Sequence, residues 1–254
     1  MTYQPVGRCI YCGTKPPPPL SREHILAESL GGTEVLPAAS CAAHRDVTSK
    51  FELQCARMAY GTYRAAEGLQ SKRSSKPIAS IEVKAWKHDG TEIMHRLPLV
   101  DWPRLHLVVH YPPPSLLTGL SVDPTSLGHL KAARGDDAHY QRTLSKYGWK
   151  AFENHTGGFL SFAFQRMLAK TAHAHAVAHF GLDGFTSIVR AFIDCEDADT
   201  LDGFTYVGGF EPRQPQLARA LSHRIEGQYI VVTISMRAFK SFPAYQVVVG
   251  RTLG

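Results

Sequence analysis

The chain has 254 residues, 44% of them hydrophobic and 20% charged, with a net charge of +6. That balance supports a sizeable core and excludes wholesale disorder. No run of about eighteen uncharged apolar residues occurs and the start, MTYQPVGRCIYCG, lacks the apolar centre of a secretory signal. A membrane span is therefore not expected, and cytoplasmic residence is.

In chain order, the first marker is Cys9-Ile10-Tyr11-Cys12, followed by the stiff spacer Lys15-Pro16-Pro17-Pro18-Pro19, which neither helix nor central strand tolerates. Arg22–Leu26 reads as a short strand, Gly31-Gly32 as a turn and Glu34–Leu36 as a returning strand. Ser40 is a suitable N-cap for a helix carrying Cys41 and His44 in its first turn and running to Gly61. Residues 66–77, with Gly68, Ser71, Ser74, Ser75 and Pro77, read as a linker. Ile78–Trp86 and Thr91–Leu97 flank Asp89-Gly90, a hairpin signal, and Leu105–Tyr111 reads as a further strand. A polar helix is expected around His129–Tyr147. Phe159–Phe180 has the strongest helical pattern, ending at Gly181, and a second helix is expected over Phe185–Cys195. Strands are expected at Gly203–Gly209, Tyr229–Met236 and Tyr245–Arg251. A small zinc module followed by a larger α+β domain is the economical reading.

Five cysteines are few and odd in number, and paired C-x2-C spacing argues for metal rather than disulfides. Cys9 and Cys12 form one clamp, and Cys41 and His44, three apart at a helix start, form another. Together they make a Cys3His set suited to tetrahedral zinc, with every position filled by protein and hence a structural role. Cys55 and Cys195 read as buried thiols. Residues 1–76 hold ten Lys or Arg against six Asp or Glu, so most of the basic excess lies with the clamps. Basic charge there suits a polyanion, because phosphate contacts dominate nucleic-acid affinity.

Cys9-x2-Cys12, Glu23-His24-Ile25, Ser29-Leu30-Gly31-Gly32, Cys41-x2-His44 and Thr48-Ser49-Lys50-Phe51-Glu52 together resemble the zinc-bearing HNH endonucleases of ββα-metal fold. The resemblance covers about the first sixty residues. It implies a zinc-bound HNH module over 1–65, and with the elements read above the whole is an α+β chain: that module, a linker over 66–77, and an α+β accessory domain over 78–254. It further implies His24 as the general base that activates water, and Glu23 as a ligand of a catalytic Mg2+ or Mn2+ ion. DNA is the implied partner, with Arg22, Arg45 and Lys50 as candidate backbone contacts. A homodimer is compatible with the sequence, which does not require one. Such families place Asn or His after the last zinc ligand. Here Arg45 stands there, all donors and no lone pair, and Asp46 is the nearest substitute oxygen ligand. Arg45 leaves open a different class, a noncatalytic zinc-dependent nucleic-acid or protein-binding module with a degenerate site.

Elsewhere, His175 and His179 share a helix face at metal-capable spacing, yet Ala-Val-Ala between them lacks the glutamate of a metalloprotease motif. The ordinary reading of His173, His175 and His179 is local satisfaction in a packed helix. This helix, the Gly181–Gly184 turn and Val247–Gly250 resemble the tail of some uncharacterised bacterial HNH proteins, a likeness that implies no mechanism. Phe159, Phe162 and Phe164 read as core, and Asp194, Glu196, Asp197 and Asp199 as an exposed helix end. Arg64, Lys72, Arg73 and Lys76 are further backbone-contact candidates, and Gly208-Gly209 lacks the context of a phosphate loop.

Overall fold

The structure, a computed structural model, describes residues 3–15, 19–69, 79–103, 105–121, 129–134, 136–154, 161–196, 202–210, 220–235 and 243–253. Strand β1 (Ser21–His24) and strand β2 (Val35–Ser40) pair antiparallel around a 3-10 turn at Glu28–Leu30. The two glycines there serve different needs. Gly31 caps the turn at φ 81°, in the left-handed region, whereas a Cβ on Gly32 would lie 1.9 Å from the Leu26 carbonyl oxygen. Helix α1 (Ala42–Gln54) follows with Cys41 as N-cap. Ser40, the expected cap, is instead the last residue of β2, with its hydroxyl turned to the Cys41 carbonyl. The helix expected to run to Gly61 passes through a π-turn at Cys55–Ala59 and breaks at Tyr60 (φ −116°), and Gly61 opens helix α2 (Gly61–Ala66). Burial of the Tyr60 ring against Tyr63 and Phe164 outweighs continuation of the helix.

Most of the expected linker, with Lys72, Arg73 and Lys76, lies outside the described residues. Strands β3 (Ser80–Lys87) and β4 (Glu92–Pro98) form the hairpin expected at Asp89-Gly90, where the Asp89 carboxylate accepts the Thr91 N–H at 2.8 Å. Strand β5 (Leu105–His110), the short helix α3 (Ser115–Thr118), strand β6 (His129–Arg134), helix α4 (Asp137–Tyr147) and strand β7 (Trp149–Asn154) complete this stretch. Residues 129–147 are thus a strand and then a helix, not one helix. Asp136 accepts the His139 N–H at 2.9 Å and fixes the start of α4. β6 pairs with β5, and β7 joins β3 to give the order β4-β3-β7.

Helix α5 (Ser161–Phe180) ends, as its pattern predicts, at Gly181 with φ 77°. Phe159 lies outside the described residues. The single helix expected over Phe185–Cys195 is a strand, β8 (Phe185–Ser187), and a short helix, α6 (Arg190–Asp194). Strands β9 (Val207–Phe210), β10 (Ala220–Glu226), β11 (Tyr229–Ser235) and β12 (Ala244–Thr252) follow. Pairing of Phe185 with Thr252 and of Ser187 with Gly250 explains why this segment is extended: it completes one end of β12, and β9 completes the other. The sheet runs β10-β11-β12-β8. Gly208 lies against the chain at Pro112, where a Cβ would fall 2.4 Å from the carbonyl oxygen, so close backbone approach accounts for the Gly-Gly pair.

Two apolar cores result. The larger joins Ile10, Tyr11, Ile25, Leu36 and Phe51 from the N-terminal elements to Phe164 and Met167 of α5 and to Val232 and Val247 of the sheet. The smaller holds Ile81, Val83, Leu97, Trp102, Tyr140, Trp149 and Phe152. The N-terminal elements therefore share their core with α5, the C-terminal sheet and Val109 and Tyr111 at the end of β5, whereas β3, β4, α4 and β7 pack the smaller core, to which α2 adds Ala65. Among the described residues no helix is long and apolar enough to cross a membrane.

Candidate metal centre and the acidic-His strand

The first clamp is built by the edge of β2. The carbonyls of Pro37, Ala38 and Ala39 accept the N–H groups of Val6, Gly7 and Ile10 at 3.0, 3.0 and 2.8 Å. Ala38 sits at φ 47°, the one non-glycine described residue with positive φ, within a register shift between β1 and β2. Gly13 (φ 74°) closes the turn, its N–H donating to the Cys9 carbonyl at 2.8 Å. At the second clamp, Cys41 caps α1 with backbone only, which leaves its thiol free to turn toward His44 Nδ1 at 3.1 Å.

The ligand atoms of Cys9, Cys12, Cys41 and His44 lie within 4.8 Å of one another. Tetrahedral zinc with Zn–S near 2.3 Å sets its sulfurs about 3.8 Å apart, so this donor set fits the ion with slight contraction. Burial pushes the Cys9 thiol up to about 11. A bound cation reverses that preference, because a coordinating thiol is deprotonated outright. His44 Nε2 faces Asp194 at 3.3 Å, the carboxylate partner that fixes a ligating imidazole. Tyr11 stacks on the same ring, with centroids 5.4 Å apart. Asp194 thus has a role that its place in an acidic helix end did not announce. Asp197 and Asp199 lie outside the described residues.

On β1, Glu23 and His24 point to opposite sides. Glu23 is buried and ion-paired with Lys170 of α5 at 2.7 Å. The same ammonium meets Glu52 of α1 at 2.8 Å and donates to the His24 carbonyl oxygen. Burial would lower the pKa of Lys170, but the two carboxylates outweigh it and hold the group above the ordinary lysine range. Burial, helped by Glu23 and Glu52, holds the Tyr11 phenol well above its usual range, so Tyr11 stays neutral between the acidic group and His44. Lys170 was not singled out from the sequence, and Glu52 entered only as the end of the Thr48–Glu52 stretch, with no role of its own. A lysine inside an apolar helix was the available signal, but its partners lie 147 and 118 positions earlier (170 − 23 and 170 − 52).

His24 is half-buried and places Nε2 3.4 Å from the Glu28 carboxylate, on the turn after β1. Glu28, also not singled out, is exposed. Asp46 is exposed and paired with its neighbour Arg45 at 3.1 Å. Among the described residues, Glu23, His24 and Asp46 do not form a three-ligand group. The carboxylate that accompanies His24 is Glu28, whereas Glu23 reaches a cation there only by exchanging Lys170. Arg22 and Lys50 are exposed, and Lys50 lies 3.3 Å from Glu196. Arg64 is turned inward, donating from Nε to the Ser29 carbonyl at 2.8 Å, and so braces the turn that carries Glu28. His173 behaves as a satisfied core histidine, bonded to the Ile10 carbonyl at 2.7 Å and to the Ser187 hydroxyl at 3.2 Å. Comparison with family models, with curated proteins and with solved structures finds no match.

Proposed function

We propose that the chain is an HNH-type, metal-dependent endonuclease that hydrolyses DNA phosphodiesters, with Cys9, Cys12, Cys41 and His44 holding a structural zinc ion. The observation that carries this reading is the half-buried His24 at the end of β1, 3.4 Å from Glu28, in a hairpin-and-helix frame that also brings four zinc-type ligands together. His24 is the base that takes a proton from water, and Glu28 orients the imidazole and favours the cation it becomes. A Mg2+ or Mn2+ ion bound there supplies positive charge to the leaving oxygen. Arg22, Arg45 and Lys50, all exposed, are the side chains assigned to the phosphate backbone. Glu23, assigned to the ion by the resemblance, contributes in this arrangement through Lys170, by anchoring β1 to α5.

A second reading has its own observation. Glu23 and Asp46 are each engaged by a protein cation, Lys170 and Arg45. That suits a noncatalytic zinc-dependent module binding nucleic acid or protein. Nicking of supercoiled plasmid in Mg2+ or Mn2+ separates the two. Under the enzyme reading His24→Ala loses on the order of 10²–10⁴-fold in rate, with zinc content and fold retained. Failure of well-folded, zinc-loaded wild type to cut any nucleic acid in either metal rejects the nuclease and leaves the binding module.

A further inference from the structure

The C-terminal half of α5 carries His175 and His179 one turn apart, and β10 brings His223 to the same face. The three imidazoles offer ligand nitrogens within 4.8 Å of one another. His175 Nε2 and His223 Nδ1 are 3.2 Å apart. Two nitrogens bound to one tetrahedral ion at 2.0–2.1 Å are about 3.3 Å apart, so this pair already has a chelating separation. Ring centroids are 4.3 Å apart for His175 and His179 and 4.8 Å for His179 and His223, which closes the triangle. His175 is buried, with Nδ1 lacking a hydrogen-bond partner among the described residues, whereas His179 and His223 are exposed. One ligand is therefore fixed in the helix packing, and two stand at the surface where an ion enters.

The geometry points to a second metal site, made by His175, His179 and His223, that binds a borderline divalent transition cation and leaves a coordination position open to solvent. An all-imidazole set without carboxylate selects Zn2+, Ni2+, Co2+ or Cu2+ over Mg2+ and Ca2+. It also differs from the thiolate-rich clamp near the N-terminus, which is filled by four protein ligands. The site has a structural consequence: β10 is the edge strand of the sheet, and an ion shared by His175, His179 and His223 fastens that edge to α5.

The test uses the full chain, free of any histidine tag and loaded with one equivalent of zinc. Titration with Ni2+ or further Zn2+, followed by calorimetry and by metal content after gel filtration, should show a second equivalent. His179→Ala and His223→Ala alter exposed positions. Each should weaken that second equivalent by more than about tenfold, the scale of even an outer-sphere loss, with the first zinc retained. Hydrogen exchange of Ala220–Glu226 should slow on metal addition in wild type and not in His223→Ala. Absence of a second equivalent in wild type, or binding by both variants undiminished from wild type, overturns the site.

Discussion

Lys170 presents three protons to three acceptors, the carboxylates of Glu23 and Glu52 and the carbonyl of His24. Removing the ammonium while leaving the carboxylates is the costly change, because a buried anion, Glu23, and a half-buried one, Glu52, then face each other without a cation. Lys170→Met should therefore lower stability by about 3–5 kcal/mol in urea melts. Glu23→Gln and Glu52→Gln placed in the same chain should restore much of that loss. If Lys170→Met alone is neutral, the buried network is not what joins β1 to α5. Ala38 is a second position where local cost is visible. A non-glycine residue in the left-handed region costs roughly 1–2 kcal/mol, so Ala38→Gly should raise the urea midpoint by up to about 1 kcal/mol of stability without altering zinc content.

At the scale of elements, α5 explains why some features were legible in the sequence and others were not. Its apolar run and terminal Gly181 mark a helix unmistakably. The helix is buried nearly all round, and Arg166, Lys170 and His173 lie at i, i+4 and i+7 along one side. Arg166 donates to the Ile193 carbonyl and stacks over Phe51, so this polar row is the seam between α5 and the N-terminal elements. Spacing shows such a row but not what it meets. The same limit hid Phe185–Ser187, extended only because β12 pairs with it, and β10, whose His223 matters through its distance from α5. The two clamps, the Asp89-Gly90 hairpin and the strand–turn–strand around Gly31-Gly32 were readable because turn chemistry and ligand spacing are local. A clip within residues 79–154 is open to a pH test. Hydrogen bonds from Lys146 and Tyr147 hold the Asp101 carboxyl below the usual carboxylate range. A depressed carboxyl stabilises the fold above its unfolded value of 3.8 and loses that contribution as pH falls through the folded one. Asp101→Asn should remove this component. The fall in melting temperature below about pH 4 should then be shallower than in wild type, and an unchanged slope would count against the clip.

Across the whole molecule, the division into cores decides what loss of the proposed zinc ion would do. Ile10 and Tyr11, within the first clamp, are fully buried in the same apolar cluster as Phe164, Val232 and Val247. His173 reaches from α5 to the Ile10 carbonyl, and Asp194 of α6 reaches His44. A zinc module tethered by a linker would melt on its own when its ion is removed. Here the clamp residues form part of the packing of α5, so under the proposed zinc reading release of the ion would withdraw support from the helix that carries the C-terminal sheet. Binding energy for a structural zinc is folding energy. Chelation, or Cys12→Ser, should therefore lower the transition of residues 161–252 together with that of residues 3–69, as followed by hydrogen exchange. Strands β3, β4 and β7 with helix α4, whose core is built on Trp102, Tyr140, Trp149 and Phe152, should keep their protection longest. The reciprocal substitution, Phe152→Ala, should cost about 3–5 kcal/mol in that smaller core while leaving zinc content unchanged. Selective loss of protection in residues 3–69 alone after chelation, with α5 and the sheet undisturbed, would show that the shared core does not transmit the metal's contribution.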